Sequence, residues 1–208
     1  MKLIRMLAAT AALAACATLS SAALAQAFPT KPVRVIIPYP PGGVLDAIFR
    51  PLARDLGEAL GQPIVLDNRP GGNTIIAMDL CAKAPADGYT ICATSNDSMS
   101  LNPHLYNKLP YDTDRDFAAV SNLLYVDEVI VAGTQAPFNS FREMIDYARA
   151  KPGAINYGSF GLGSSAHMIL AYINSKANVN ITHVPYKGGG PAIVDLVSGQ
   201  VPMMFATP

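Results

Sequence analysis

From Val33 onward, short apolar runs end in glycine turns and then give way to amphipathic stretches. This alternation narrows the fold to a mostly parallel sheet with covering helices. The clearest unit is Val33 to Asp46. Val33 to Ile37 reads as a buried strand, Pro38-Tyr39-Pro40-Pro41 stiffens a turn, and Gly42-Gly43 open into a helix. Such a junction sets unpaired amides and the positive end of a helix dipole at the carboxyl end of a strand. Anions bind there because the first amides of a helix have no intrahelical partner.

The helix predicted after Gly43 runs to about Leu60, with Leu45, Ile48, Phe49, Leu52 and Leu56 at three- and four-residue spacing. Pro51 is expected to kink or split it, and Gly61 to end it. Further strands are expected at Pro63 to Asn68 and Tyr89 to Thr94, with a helix at Thr74 to Lys83 between them. Phe117 to Val131 returns to strand character and crosses to a second lobe. There Ser140 and Glu143 form a capping box, and strands are expected at Ile155 to Ser159, Ile181 to Pro185 and Val201 to Phe205. Helices follow Ser165 and Pro191. The second half repeats the plan of the first. Sheets of this kind bind ligands beyond the carboxyl ends of their strands. The Pro41-Gly43 turn, the Pro70-Asn73 turn and the Thr94-Ser95-Asn96 exit all fall at that edge.

Residues 1–25 have the form of a secretory leader: Lys2 and Arg5, an apolar Leu7 to Ala15, and small residues at Ala23-Leu24-Ala25. Leu13 to Cys16 also fits the pattern before a lipid-modified cysteine, so a lipid anchor at Cys16 stands as the minor alternative. The formal charge of zero falls slightly acidic once the leader is removed, which excludes a nucleic-acid partner of the ordinary basic kind. With 50% hydrophobic and 14% charged residues the chain can build a core. Nothing has metal-site spacing, and no cofactor is expected. Cys81 and Cys92 could pair in an oxidising compartment; the reading preferred is two small buried apolar residues. The chain stops straight after a strand, so the C-terminal part of the second lobe is expected to be missing.

Neither glycine turn is a nucleotide motif: Gly-x-Gly-x-x-Gly and Gly-Lys-Ser/Thr are both absent from the first turn. Backbone donors with no lysine suit a carboxylate. Asp46 is read as holding the turn rather than touching the anion. Tyr157 to His167 is a second candidate cradle, in which Ser159, Ser164 and Ser165 bring hydroxyls, and Gly161 and Gly163 let the backbone approach a ligand. Its bland counterpart is a serine-capped helix start. Catalysis by Ser164 or Ser165 with His167 is the competing reading, but Gly-Leu-Gly-Ser-Ser is not a nucleophile elbow. His183 reads as structural. A micromolar ligand needs about 8 kcal/mol, whereas one charge-assisted hydrogen bond gives about 1.5–3 kcal/mol. A single turn is therefore insufficient.

Several ordered motifs then carry a resemblance. They are Ile36-Ile37-Pro38-Tyr39-Pro40-Pro41-Gly42-Gly43-x-x-Asp46, Asp67-Asn68-Arg69-Pro70-Gly71-Gly72-Asn73, Ala86-Asp87-Gly88-Tyr89-Thr90 and Asn102-Pro103-His104-Leu105-Tyr106. Leu109-Pro110-Tyr111-Asp112, Tyr157-Gly158-Ser159-x-Gly161-x-Gly163-Ser164-x-x-His167, His183-Val184-Pro185-Tyr186-Lys187-Gly188 and Asp195-x-x-x-Gly199-Gln200-Val201 follow. From Phe28 to about Phe205 the chain resembles the Bug-type solute receptors of tripartite tricarboxylate transporters.

The resemblance implies an α/β, periplasmic-binding-protein-like fold of type II, with a first lobe over residues 26–125 and an incomplete second lobe over 126–208. It implies a periplasmic, monomeric receptor that is not an enzyme, binds a small carboxylate and hands it to membrane permease subunits. The resemblance implies ligand contacts at Pro41, Gly42 and Gly43 of the first turn, at Ser159, Gly161, Gly163, Ser164 and Ser165 of the Gly-Ser turn, and at the third-strand exit Thr94, Ser95 and Asn96. Tyr39, Asp46 and His167 complete the candidate site, Asp46 through the turn that it holds. The chain departs from the family where Pro41 replaces a frequent alanine, where the Pro70 turn is short, and in length. An inactive receptor fragment is the remaining alternative.

Overall fold

The computed structural model describes residues 28–207. The expected leader and Cys16 lie outside the described residues. Strand β1 (Val33–Ile37) is followed by α1 (Val44–Leu60), β2 (Ile64–Asn68), α2 (Ile75–Ala82) and β3 (Thr90–Cys92). The three strands form a parallel sheet ordered β2-β1-β3. The central strand is apolar apart from Arg34, which pairs with Asp67 of β2, because both of its faces are covered. Successive side chains alternate faces: Val35 and Ile37 pack with Phe49 of α1, while Ile36 packs with Ala77 and Met78 of α2.

The second sheet has the order β4-β7-β5-β6. Its strands are β4 (Val129–Ala132), β5 (Asn156–Ser159), β6 (Thr182–Pro185) and β7 (Met203–Ala206). β5 pairs in parallel with β6 and β7, and β4 closes the edge antiparallel to β7. Helices α4 (Phe141–Ala150), α5 (Ser165–Ala177) and α6 (Gly189–Val197) join these strands. The short α3 (Asn102–Leu105) belongs to the first half. Met144, Ala148, Tyr157, Leu170, Met203 and Phe205 form one continuous core here, whereas the first sheet divides its core into two smaller clusters.

The local chemistry of the helix ends accounts for their positions. Ser140 caps α4 by accepting from Glu143 N–H at 3.2 Å, and the Glu143 carboxylate takes Asn139 N–H at 2.8 Å. Gly61 ends α1 at φ 69°, a left-handed conformation that costs glycine nothing.

Three expectations need correcting. First, α1 is not split at Pro51 but continues through it. Proline removes one intrahelical bond, but burial of Phe49 and packing of Leu45 and Leu52 hold the flanking turns together. Second, Phe117 to Glu128 is not a strand; the strand begins only at Val129. Val120 and Tyr125 are 84% and 92% exposed, and no strand lies beside them, among the described residues, to take their amides. Third, Cys81 and Cys92 are paired as a disulfide rather than being separate apolar residues. α2 and β3 bring their Cα atoms to 6.3 Å, within bridging reach.

Candidate binding cleft

The carboxyl ends of both sheets open onto one cleft of about 350 Å3. Each wall segment follows a strand. Pro38 and Tyr39 leave β1, Gly71 to Thr74 follow β2, Phe160 to Leu162 follow β5, and Pro185 to Lys187 end β6. Tyr106 completes the wall. This is the edge at which such sheets bind ligands. A larger hollow of about 790 Å3 runs beside Arg54, Glu58 and Ile64. It lies at the start of β2, at the other end of that strand from the cleft.

Of the expected contacts, Tyr39 and Gly161 line the cleft. Pro41, Gly42, Gly43, Asp46, Thr94, Ser95, Asn96, Ser159, Gly163, Ser164, Ser165 and His167 are not among the residues that line it. Asp46 is buried, and its Oδ2 accepts from Gly42 N–H at 2.9 Å and from Arg50 Nε at 2.7 Å. It holds the turn as the sequence suggests. The Arg50 hydrogen bond, with the Gly42 amide, keeps the Asp46 carboxyl below its ordinary value. Ser95 supports Tyr39 by accepting its hydroxyl proton at 3.1 Å. Burial, and then the Asp97 charge, keep that phenol protonated.

The three glycine bends differ in where their amides go. The amides of Gly43, Val44, Leu45 and Asp46 have no protein acceptor among the described residues. The same holds for Gly71, Gly72, Asn73 and Thr74. Those four residues all have positive φ, at 116°, 57°, 50° and 71°, and they open into α2. Consecutive amides in such a curve make an anion-binding concavity.

The Gly-Ser bend behaves otherwise. Gly161 N–H donates to Ser159 Oγ at 3.1 Å, Gly163 N–H to His167 Nδ1 at 3.1 Å, and Ser165 N–H to Asp97 Oδ1 at 3.0 Å. Ser164 N–H donates to Gly161 O at 3.3 Å, and Ser164 Oγ caps α5 by accepting from His167 N–H, also at 3.3 Å. The expected second cradle is thus filled by the protein's own acceptors.

His183 and His167 stack with ring centroids 4.1 Å apart, and His183 Nε2 lies 2.5 Å from Ser159 Oγ. Burial, assisted by the His167 ring, lowers the His183 pKa to about 4. The imidazole is therefore neutral near pH 7. Ser159 is fully buried and also bonds Gly161, so its hydroxyl serves the turn. Tyr186 donates to Asp195 at 2.7 Å, and burial together with that bond pushes its pKa up to about 12. Among the lining residues Lys187 alone carries a formal charge. The Pro70-Asn73 turn was visible in sequence as a possible cleft edge. Tyr106 and Phe160 were not singled out as wall residues, because only the fold carries them to the cleft.

Two α/β halves that meet over a cleft at their strand ends define the class of the periplasmic solute-binding proteins. The family model described as "Tripartite tricarboxylate transporter family receptor" matches residues 48–208. The chain belongs to that family. A UPF0065 protein from the tcbD-tcbE intergenic region of Pseudomonas sp. (strain P51) is 41% identical over 180 residues, covering 86% of this chain and 53% of that protein. Rpa4515 of R. palustris, solved with adipate, superposes with a TM-score of 0.82 at 34% identity, over 86% of this chain and 60% of that one. MatC from Rhodopseudomonas palustris, solved with malate, gives 0.80 at 30% identity, over 86% and 61%. The chain thus spans about half the length of the curated relative and three-fifths of the solved chains.

Proposed function

We propose that this chain is an extracytoplasmic receptor that captures a small carboxylate in the cleft. The observation that carries this reading is the Gly71-Thr74 turn, which lines the cleft at the start of α2 and whose amides have no protein acceptor among the described residues. A carboxylate there gains charge-assisted hydrogen bonds of about 1.5–3 kcal/mol each. Tyr39 and Tyr106 bound it from the same side, Gly161 and Leu162 from the other. Lys187 offers a second cationic end, which suits a ligand with two polar termini. Contacts from both halves give the solute more partners in the closed arrangement than in an open one, which is what drives closure. The relatives solved with adipate and malate support a carboxylate of this size. The family and the leader-like start support delivery to a membrane permease from the periplasm.

Isothermal titration of the mature chain against adipate, malate and acetate tests the reading. Heat is expected from at least one dicarboxylate and none from adipamide, its uncharged counterpart. Absence of heat from every acid, with circular dichroism showing a folded sample, overturns it.

A further inference from the structure

The Gly71-Thr74 turn contains two residues that need no help to reach positive φ and two that do. Glycine takes φ 116° and 57° freely, whereas Asn73 at φ 50° enters the left-handed region at some cost. Thr74 at φ 71° is the outlier, because a β-branched side chain crowds the backbone there. Thr74 is also buried, at 3% exposure, and its hydroxyl turns back to Asn73 O instead of capping α2. Residues held in such conformations persist only where their surroundings over-determine them, and they gather at ligand sites.

Among the described residues, Asn102 is the only other side chain that hydrogen-bonds this pair. Asn102 is fully buried and opens α3, but its carboxamide does not cap that helix. Its Oδ1 accepts from Asn73 Nδ2 at 2.7 Å, and its Nδ2 donates to Asn73 O at 2.8 Å. The same Nδ2 lies 3.4 Å from Thr74 Oγ1. Asn102 thus engages the two residues that need holding, and none of its side-chain hydrogen bonds goes to the two glycines. Tyr111 steadies it in turn: Asn102 Nδ2 lies 3.3 Å from Tyr111 Oη, which donates to Ser98 O at 2.9 Å.

We propose that Asn102 is a positioning residue for the turn that, on the reading proposed above, receives the solute's carboxylate. It holds Asn73 and Thr74 at positive φ and so keeps four successive amides in one curve that a single anion can share. Without it, Thr74 relaxes toward negative φ and the curve opens, while the glycines keep their freedom.

Intraresidue HN–Hα cross-peaks in the NMR spectrum of the solute-free chain test the positioning, because positive φ brings those two hydrogens closest together. Wild type should show strong peaks at Asn73 and Thr74. Asn102→Ala should lose the strong peak at Thr74 and weaken that at Asn73. Asn102→Leu fills the same space without hydrogen bonds and decides the outcome where Asn102→Ala does not fold. Strong peaks that persist in a folded variant overturn the proposal, as does failure of both variants to fold, which would make Asn102 a core residue only. Binding is the second readout. Adipate should bind Asn102→Ala roughly ten-fold more weakly, the scale set by one left-handed residue. Adding Thr74→Gly should restore most of that affinity, since glycine takes positive φ unaided. A support that served stability alone would not be replaced by a glycine. Unchanged affinity in Asn102→Ala, or no recovery in the double variant, also overturns the proposal. Where wild type itself binds no acid, the carboxylate reading falls, while the cross-peaks still decide whether Asn102 shapes the turn.

Discussion

The turn after β2 and the turn after β5 both use two glycines to open into a helix beside the cleft, yet they do opposite things with their amides. Gly71 to Thr74 leave theirs without a protein acceptor among the described residues, whereas Gly161, Gly163 and Ser165 give theirs to Ser159, His167 and Asp97. The difference is in the side chains within reach, not in the glycines. Serine, histidine and aspartate acceptors surround the second bend. The first of the two turns has an asparagine whose amide is committed to Asn102 at 2.7 Å. A glycine turn at a helix start is therefore a site only when nothing nearby has already claimed its donors.

The first turn of the chain, after β1, allows the sharpest break of this comparison. Asp46 is the acceptor that shapes it, so Asp46→Ala should destabilise the fold by about 1.5–3 kcal/mol, read as a lower melting temperature. An unchanged melt would mean that the turn shapes itself. Gly163 comes next. At φ +81° a side chain there strains the backbone. Gly163→Ala should cost about 1–2 kcal/mol of stability, read as a lower melting temperature; an unchanged melt would mean that the bend relaxes.

A third prediction concerns pH. His183 stays neutral in the fold down to about 4, while the unfolded chain takes up its proton near the ordinary value of 6.5. Between those values the unfolded state holds more protons, so stability falls as pH drops from 6.5 toward 4. Burial raises Asp97 and Glu128, which act with the opposite sign. Denaturant melts across this window should show a shallower acid slope in His183→Asn than in wild type. An identical slope would remove the stacked pair from the account. The smallest effect is expected from Ser164→Ala, which loses the α5 cap at about 1 kcal/mol.

Much of the architecture was legible because it is local. The apolar run from Val33 to Ile37, the Ser140 and Glu143 cap and the Gly61 stop each act within a few residues. The candidate site was legible only in outline. The glycine turns announced free donors, but the acceptor that claims Ser165 lies 68 residues away, and no local pattern exposes it. The Cys81–Cys92 pairing likewise depends on how α2 lies against β3. Phe117 to Glu128 has strand composition, yet strands exist only where a neighbour takes their amides.

The central claim is that the Gly71-Thr74 amides, and not those of the Gly-Ser bend, take the solute's carboxylate. Titrating adipate or malate into 15N-labelled chain and following the amide resonances tests it most directly. The account predicts large saturable shifts at Gly71, Gly72, Asn73 and Thr74, with smaller ones at Gly161 and Leu162. Shifts concentrated at Gly163, Ser164 and Ser165, with Gly72 and Asn73 unmoved, would contradict it.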